Sequence, residues 1–129
     1  QHKMTKMQNT SGGELDTGAV VVIKSVASGT EITTTTTNGD NKIIGMATSK
    51  LGGFSDTNYG DILTRGKTSE LFVVNGTSSI SIGDFLSTYS HAYYAKKATA
   101  GETVFAIALE TPTTSTAQID ALLISPRLI

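Results

Sequence analysis

Apolar and polar residues alternate along this chain with a two-residue period that Gly, Asn and Asp interrupt at roughly 8 to 15 residue spacing, as in small sandwiches and barrels. The stretch from Ile80 to Leu109 shows the pattern best. Ile80 and Ile82 alternate with Ser79 and Ser81, Gly83-Asp84 supplies a turn, and Phe85-Leu86 resumes the apolar pattern. Gly101 then introduces Val104-Phe105-Ala106-Ile107-Ala108-Leu109, a nearly continuous apolar run of the kind a strand covered on both faces produces.

The rest of the chain reads in the same terms. Gly18 to Ile23, GAVVVI, predicts a buried strand, and Ser28-Gly29 a turn. Glu31 to Thr37 holds five consecutive threonines and predicts an exposed strand, because branched side chains favour extended backbone while their hydroxyls stay hydrated. Asn38-Gly39-Asp40 predicts a tight hairpin leading into Ile43-Ile44-Gly45-Met46-Ala47. Ser49 to Asn58 forms a loop carrying Phe54, and Gly60-Asp61 reopens the sheet with Ile62-Leu63. Leu71-Phe72-Val73-Val74 is expected to pair back through a turn at Arg65-Gly66-Lys67, with another turn at Asn75-Gly76. After the polar loop Thr111 to Thr116, Ile119 to Ile124 predicts the last strand, ended by Pro126. No segment sustains a helical period. The pattern therefore predicts an all-β fold, a small β-barrel or β-sandwich with short antiparallel strands.

An internal echo sharpens that expectation. Ile43-Ile44-Gly45-Met46-Ala47 lines up with Val104-Phe105-Ala106-Ile107-Ala108, each run following an extended polar segment and a turn. Two similar halves are implied.

A chain of 129 residues is enough for one domain with a core of its own. Residues 13–129 are read as that domain. Residues 1–12, QHKMTKMQNTSG, have only Met4 and Met7 as apolar members and are read as an extended N-terminal arm that cannot form a core alone. Met4 and Met7, with Lys3 and Lys6, are the residues expected to hold the arm on a partner or a neighbouring copy. A net charge of −1 gives no general attraction to nucleic acid or to anionic membranes, and no apolar run reaches the ~20 residues of a membrane helix. Neither is expected as a partner.

Candidate chemistry is sparse. Only His2 and His91 could serve as a histidine base, and Ser90 beside His91 is sequence adjacency rather than a positioned relay. There is no cysteine, and two distant histidines offer no metal-ligand spacing, so neither a metal nor a cofactor is expected. The Asp residues of Gly-Asp pairs are better explained as hydrogen-bonding turn residues than as catalytic carboxylates. The glycine pairs lack the lysine and the strand-to-helix context of a phosphate cradle. An enzyme is not expected.

Three phrases carry a family resemblance: Gly60-Asp61-Ile62-Leu63-Thr64, Gly83-Asp84-Phe85-Leu86 and Val104 to Leu109 followed by Glu110, with Ala121-Leu122-Leu123-Ile124 at the end. Between about Gly13 and Ile124 the chain resembles the capsid decoration (cement) proteins of tailed bacteriophages and the capsid-attachment domains of phage head fibres. The threonine run and the basic first twelve residues depart from that pattern. The resemblance implies a structural virion protein on the outer capsid surface, with the major capsid protein as partner, working as a homo-oligomer, a trimer before a dimer. Phe54, Tyr93, Tyr94, Leu128 and Ile129 are the apolar residues nominated for an oligomer interface. The alternative is a receptor- or carbohydrate-binding β-domain of a fibre or adhesin, with Tyr89, Tyr93 and Tyr94 as a stacking platform.

Overall fold

The computed structural model describes residues 2–24, 31–48, 57–75 and 79–129. Among them there are nine strands and no helix. They are β1 (Lys3–Asn9), β2 (Val20–Ile23), β3 (Glu31–Thr33), β4 (Ile43–Ala47), β5 (Tyr59–Val74), β6 (Phe85–Thr88), β7 (Ala95–Lys97), β8 (Thr103–Ala108) and β9 (Thr116–Leu128).

The first five strands close on themselves. β1 runs parallel to β3, and the antiparallel pairs β3–β2, β2–β4, β4–β5 and β5–β1 complete a five-stranded mixed barrel. Each strand contributes an apolar side chain to one buried cluster: Met7, Val21, Ile32, Ala47 and Ile62, joined by Leu15 and Ala19 from the β1–β2 connection. Small barrels are filled in this way, with inward residues at every second position of each strand.

The remaining strands repeat the scheme. The second half of β5 runs parallel to β7 through the single bridge of Val73 with Ala95. The antiparallel pairs β7–β6, β6–β8, β8–β9 and β9–β5 return the ring to its start. The two rings correspond strand for strand, and β5 belongs to both. In the first ring Ala47 pairs with Ile62 and Met46 with Leu63. In the second, Ala108 pairs with Ala121 and Ile107 with Leu122. The alignment of Ile43–Ala47 with Val104–Ala108 is thus repeated in the pairing itself. Residues of the second ring, among them Leu71, Val73, Leu86, Ala95, Ala106, Ile119, Ala121 and Leu123, form one cluster with Val20, Val22, Ile43, Met46 and Leu63 of the first. The halves therefore share a core.

Several local expectations need correction. Arg65-Gly66-Lys67 is not a turn: β5 continues through it for 16 residues. Gly66, buried at a φ of 124°, lies where pairing passes from β1 and β4 to β9 and β7, and glycine tolerates the backbone that this change of partners requires. Pro126 does not end β9, which continues to Leu128; the register slips between Val104 and Ala106, and such a bulge accommodates a residue without an N–H. These long strands and the two parallel pairs depart from the short antiparallel strands expected. Only Glu31–Thr33 of the threonine segment is strand, and its Ile32 is fully buried. β3 pairs with β1 and β2 rather than with β4, so Asn38-Gly39-Asp40 turns the chain without closing a hairpin. Ile80 and Ile82 do not share a strand face: the chain turns at residues 82 and 83, burying Ile80 and leaving Ile82 exposed. Tyr93 stands in a turn at a φ of 78°.

The N-terminal segment is also organised differently from the arm that was expected. Lys3–Asn9 adds to this chain's own β5, with Met7 opposite Gly60 and Lys6 opposite Asp61, and Met7 enters the barrel interior. The His2 ring donates to the Lys67 carbonyl at 2.9 Å, and the Thr64 hydroxyl donates to the Lys3 carbonyl at 3.1 Å. Backbone pairing and core burial within the domain supply the order that its sequence alone does not.

Candidate functional site

Glu102, held by the β7–β8 turn, receives the Lys96 ammonium at 2.6 Å, the Ser87 hydroxyl at 3.0 Å and the Thr99 N–H at 2.9 Å. Burial pushes the Glu102 carboxyl up, but these three donors and the Lys96 charge outweigh it and leave the pKa lowered. Asp40 behaves alike. Burial raises it, while the Lys42 N–H, the Thr35 hydroxyl and the Lys42 charge bring it down, and the Asp40 N–H donates to Thr88 Oγ1 at 2.7 Å. Both carboxylates tie loops to strands, Glu102 through its Oε1. Threonines 35, 37 and 88 join this second network, which gives part of the threonine run a structural duty.

His91 is exposed, with its ring centroid 5.4 Å from that of Tyr94. No group of three or more His, Cys, Asp or Glu residues among the described residues is arranged to hold a metal ion.

Tyr93 and Tyr94 form a cluster with Phe72 that bridges the halves. Tyr93 stacks on Tyr94 with centroids 5.8 Å apart, and Phe72 of β5 meets Tyr93 at 5.3 Å and Tyr94 at 5.6 Å. The Tyr93 hydroxyl donates to Asp16 at 2.9 Å and its carbonyl accepts the Val20 N–H at 3.1 Å. Burial and the Asp16 carboxylate raise its pKa. Phe72, Tyr93 and Tyr94 thus pack on one another, and Tyr93 also packs against the buried cluster of the first ring; Tyr89 is half-buried.

Of the residues nominated for an interface, Phe54 lies outside the described residues. Tyr93 and Tyr94 are half-buried in the cluster just described. Leu128 and Ile129 are exposed, and the chain end is fastened by Gly101 N–H to Ile129 carbonyl and Ile129 N–H to Glu102 carbonyl bonds. Tyrosines and C-terminus lie beyond opposite ends of the β6–β7 pair, so they do not form one patch. Along the N-terminal strand, Lys3, Met4 and Lys6 are exposed, whereas Met7 is buried.

A surface that sequence reasoning missed lies on the outside of the second ring. In register across three strands stand Phe85, Ile107 and Leu122, with Lys67 of β5 at the end of the row. Phe85 and Ile107 are half-buried, while Leu109 and Leu122 are each 37% exposed. The Arg127 guanidinium lies over the Phe85 ring, 4.9 Å from its centroid. Beside the row, Arg65, Leu122 and Ile124 line an apolar surface depression. The sequence carried the signal: a strand with one wet face should not read VFAIAL, and residues 107 and 109 take the outward positions.

No protein-family model matches this chain, and no curated protein matches it in sequence.

Proposed function

We propose that the protein is a structural virion component that binds the outside of an assembled phage capsid and stabilises it without catalysis. The observation that carries this reading is the duplicated, filled barrel with an apolar row on its outside. The interior is occupied by its own side chains, so the chemistry on offer is that of a surface meeting another surface. The Gly-Asp strand phrases and their resemblance to decoration proteins supply the class of partner, the major capsid protein. A ligand that binds only the assembled lattice stabilises it by RT ln(1 + [L]/Kd), about 2.7 kcal/mol per site at a hundredfold excess over Kd. Over many sites this would resist expansion or rupture.

The test is to mix purified protein with expanded and unexpanded shells, pellet the shells, and then heat decorated and stripped shells side by side. Co-sedimentation with one shell state and a higher rupture temperature are expected. Failure to pellet with either state, or identical rupture of both preparations, refutes the reading. Specific glycan binding by the isolated protein without shell binding would favour the fibre or adhesin alternative, for which the packed tyrosines give little support.

A further inference from the structure

The duplication supplies an internal comparison. In the first ring the outward row is Met4, Leu63, Met46 and Val20, read across β1, β5, β4 and β2. Its last three members are 3%, 2% and 1% exposed, and they share a core cluster with the second half. The equivalent row of the second ring is Lys67, Leu122, Ile107 and Phe85, which remains partly open. The same row is therefore closed over in one half and, among the described residues, only partly covered in the other, where the Arg127 guanidinium lies over Phe85 and Leu122 is 37% exposed.

Charge is distributed about the partly open row in a way that suits a copy of itself. Two residues along a strand is about 6.8 Å, so Asp120 stands one step to one side of Leu122 and Ile124 one step to the other. Beyond the Asp120 side lies Glu110, whose carboxylate accepts the Asp120 N–H at 2.9 Å. On the Ile124 side is Arg65, lining the depression with Leu122 and Ile124, while the Arg127 guanidinium lies on the row itself, over Phe85. The Asp120 carboxylate and the Arg65 guanidinium have no ion-pair partner among the described residues. One flank is acidic, the other basic, and the middle apolar.

We propose that this face is the contact between two copies of the chain, related by a two-fold axis lying in the interface along the Phe85–Ile107–Leu122 row. Such an axis turns each copy over, setting the acidic flank of one against the basic flank of the other, while the apolar row meets its own counterpart. An isologous contact requires this self-complementarity, and the alternating signs fix its register. Lys67 meets its counterpart only at the end of the row, where a long side chain can turn into solvent. The proposal does not rest on the capsid reading, since it concerns the protein free of any shell.

Light scattering and sedimentation equilibrium on the full chain at about 50 µM, above the Kd of a micromolar dimer, should give twice the chain mass. Leu122→Glu should give a monomer with unchanged circular dichroism and thermal melting within a few degrees of wild type. Asp120→Arg and Arg65→Asp should each weaken association at least tenfold, and the double variant should recover most of it, a rescue that loss of a merely structural residue would not show. A wild-type monomer overturns the proposal, and if Leu122→Glu then abolishes shell binding, the occupant of the face is the shell. A Leu122→Glu variant that stays dimeric, or a double charge variant no better than the worse single one, also overturns it.

Discussion

Met7 separates a strand built into a barrel from an arm laid against a partner. Its side chain is 4% exposed and packs with Leu15, Val21, Ile32, Ala47 and Ile62, while Met4, three residues earlier, is 48% exposed. Met7→Ala removes a buried side chain worth about 1.5–3 kcal/mol in transfer free energy and leaves a cavity, so a loss of about 3 kcal/mol is expected. Unfolding entropy of about 2.1 cal/mol/K per residue over 129 residues is about 270 cal/mol/K, which converts that loss into a fall in Tm of about 11 °C. Met4→Ala, at an exposed position on the same strand, should stay within about 0.5 kcal/mol, or about 2 °C. Calorimetry of the two variants, with no partner present, is the assay. If Met7→Ala melts within about 2 °C of wild type, β1 does not complete the barrel in solution. The segment would then be the free arm its composition suggests.

Gly18 has a φ of +102°, and a Cβ there would collide with the Glu70 carbonyl oxygen; Gly18→Ala should cost at least ~2 kcal/mol, and an unchanged urea midpoint would contradict the close approach. Glu102 has a pKa below its ordinary 4.5, so it contributes stability above that pH that is lost as pH falls through the folded-state value. Glu102→Gln should therefore lie below wild type in urea midpoint at pH 6, with the gap narrowing below about pH 4.5; a gap that does not change with pH would show that the charge is not what matters. Because β5 serves both rings, thermal unfolding should be one transition with equal calorimetric and van't Hoff enthalpies, and two resolved transitions would show that the halves melt separately.

The all-β class was legible because branched residues, turn glycines and a two-residue period agree throughout. The duplication was legible at one strand pair, where GMA and AIA keep the alternation of small and large residues, but not elsewhere, because Val20 and Phe85, or Leu63 and Leu122, match only once the ladders are known. Gly66 misled for a definite reason. A glycine between two charged residues is a turn signal in local chemistry, and only the strands on either side of it show that it bends a continuous strand. Pro126 misled likewise, since a bulge is a property of two strands and not of one. The surface row escaped notice because Phe85, Ile107 and Leu122 come from three separated segments. Each looks like ordinary core until register places them side by side on the outside.

Sharing one strand between two rings makes the surface argument tighter than exposure alone would. If the halves were separate barrels, each would need its own outward face to be polar, and an apolar row on one would be ordinary variation. Here the first ring keeps apolar residues at its outward positions because the rest of the chain covers them. The second ring keeps Phe85, Ile107 and Leu122 at the equivalent positions, where the described residues cover them only in part, the Arg127 guanidinium over Phe85 being one such cover. Among the row's residues only Lys67, at its end, is polar. An apolar centre with acidic and basic flanks is the composition of a contact whose core is desolvated and whose rim stays wet. The capsid reading and the dimer therefore compete for one surface, and Leu122 is the residue at which they part: it governs self-association in solution if the occupant is a second copy, and shell binding alone if the occupant is the capsid.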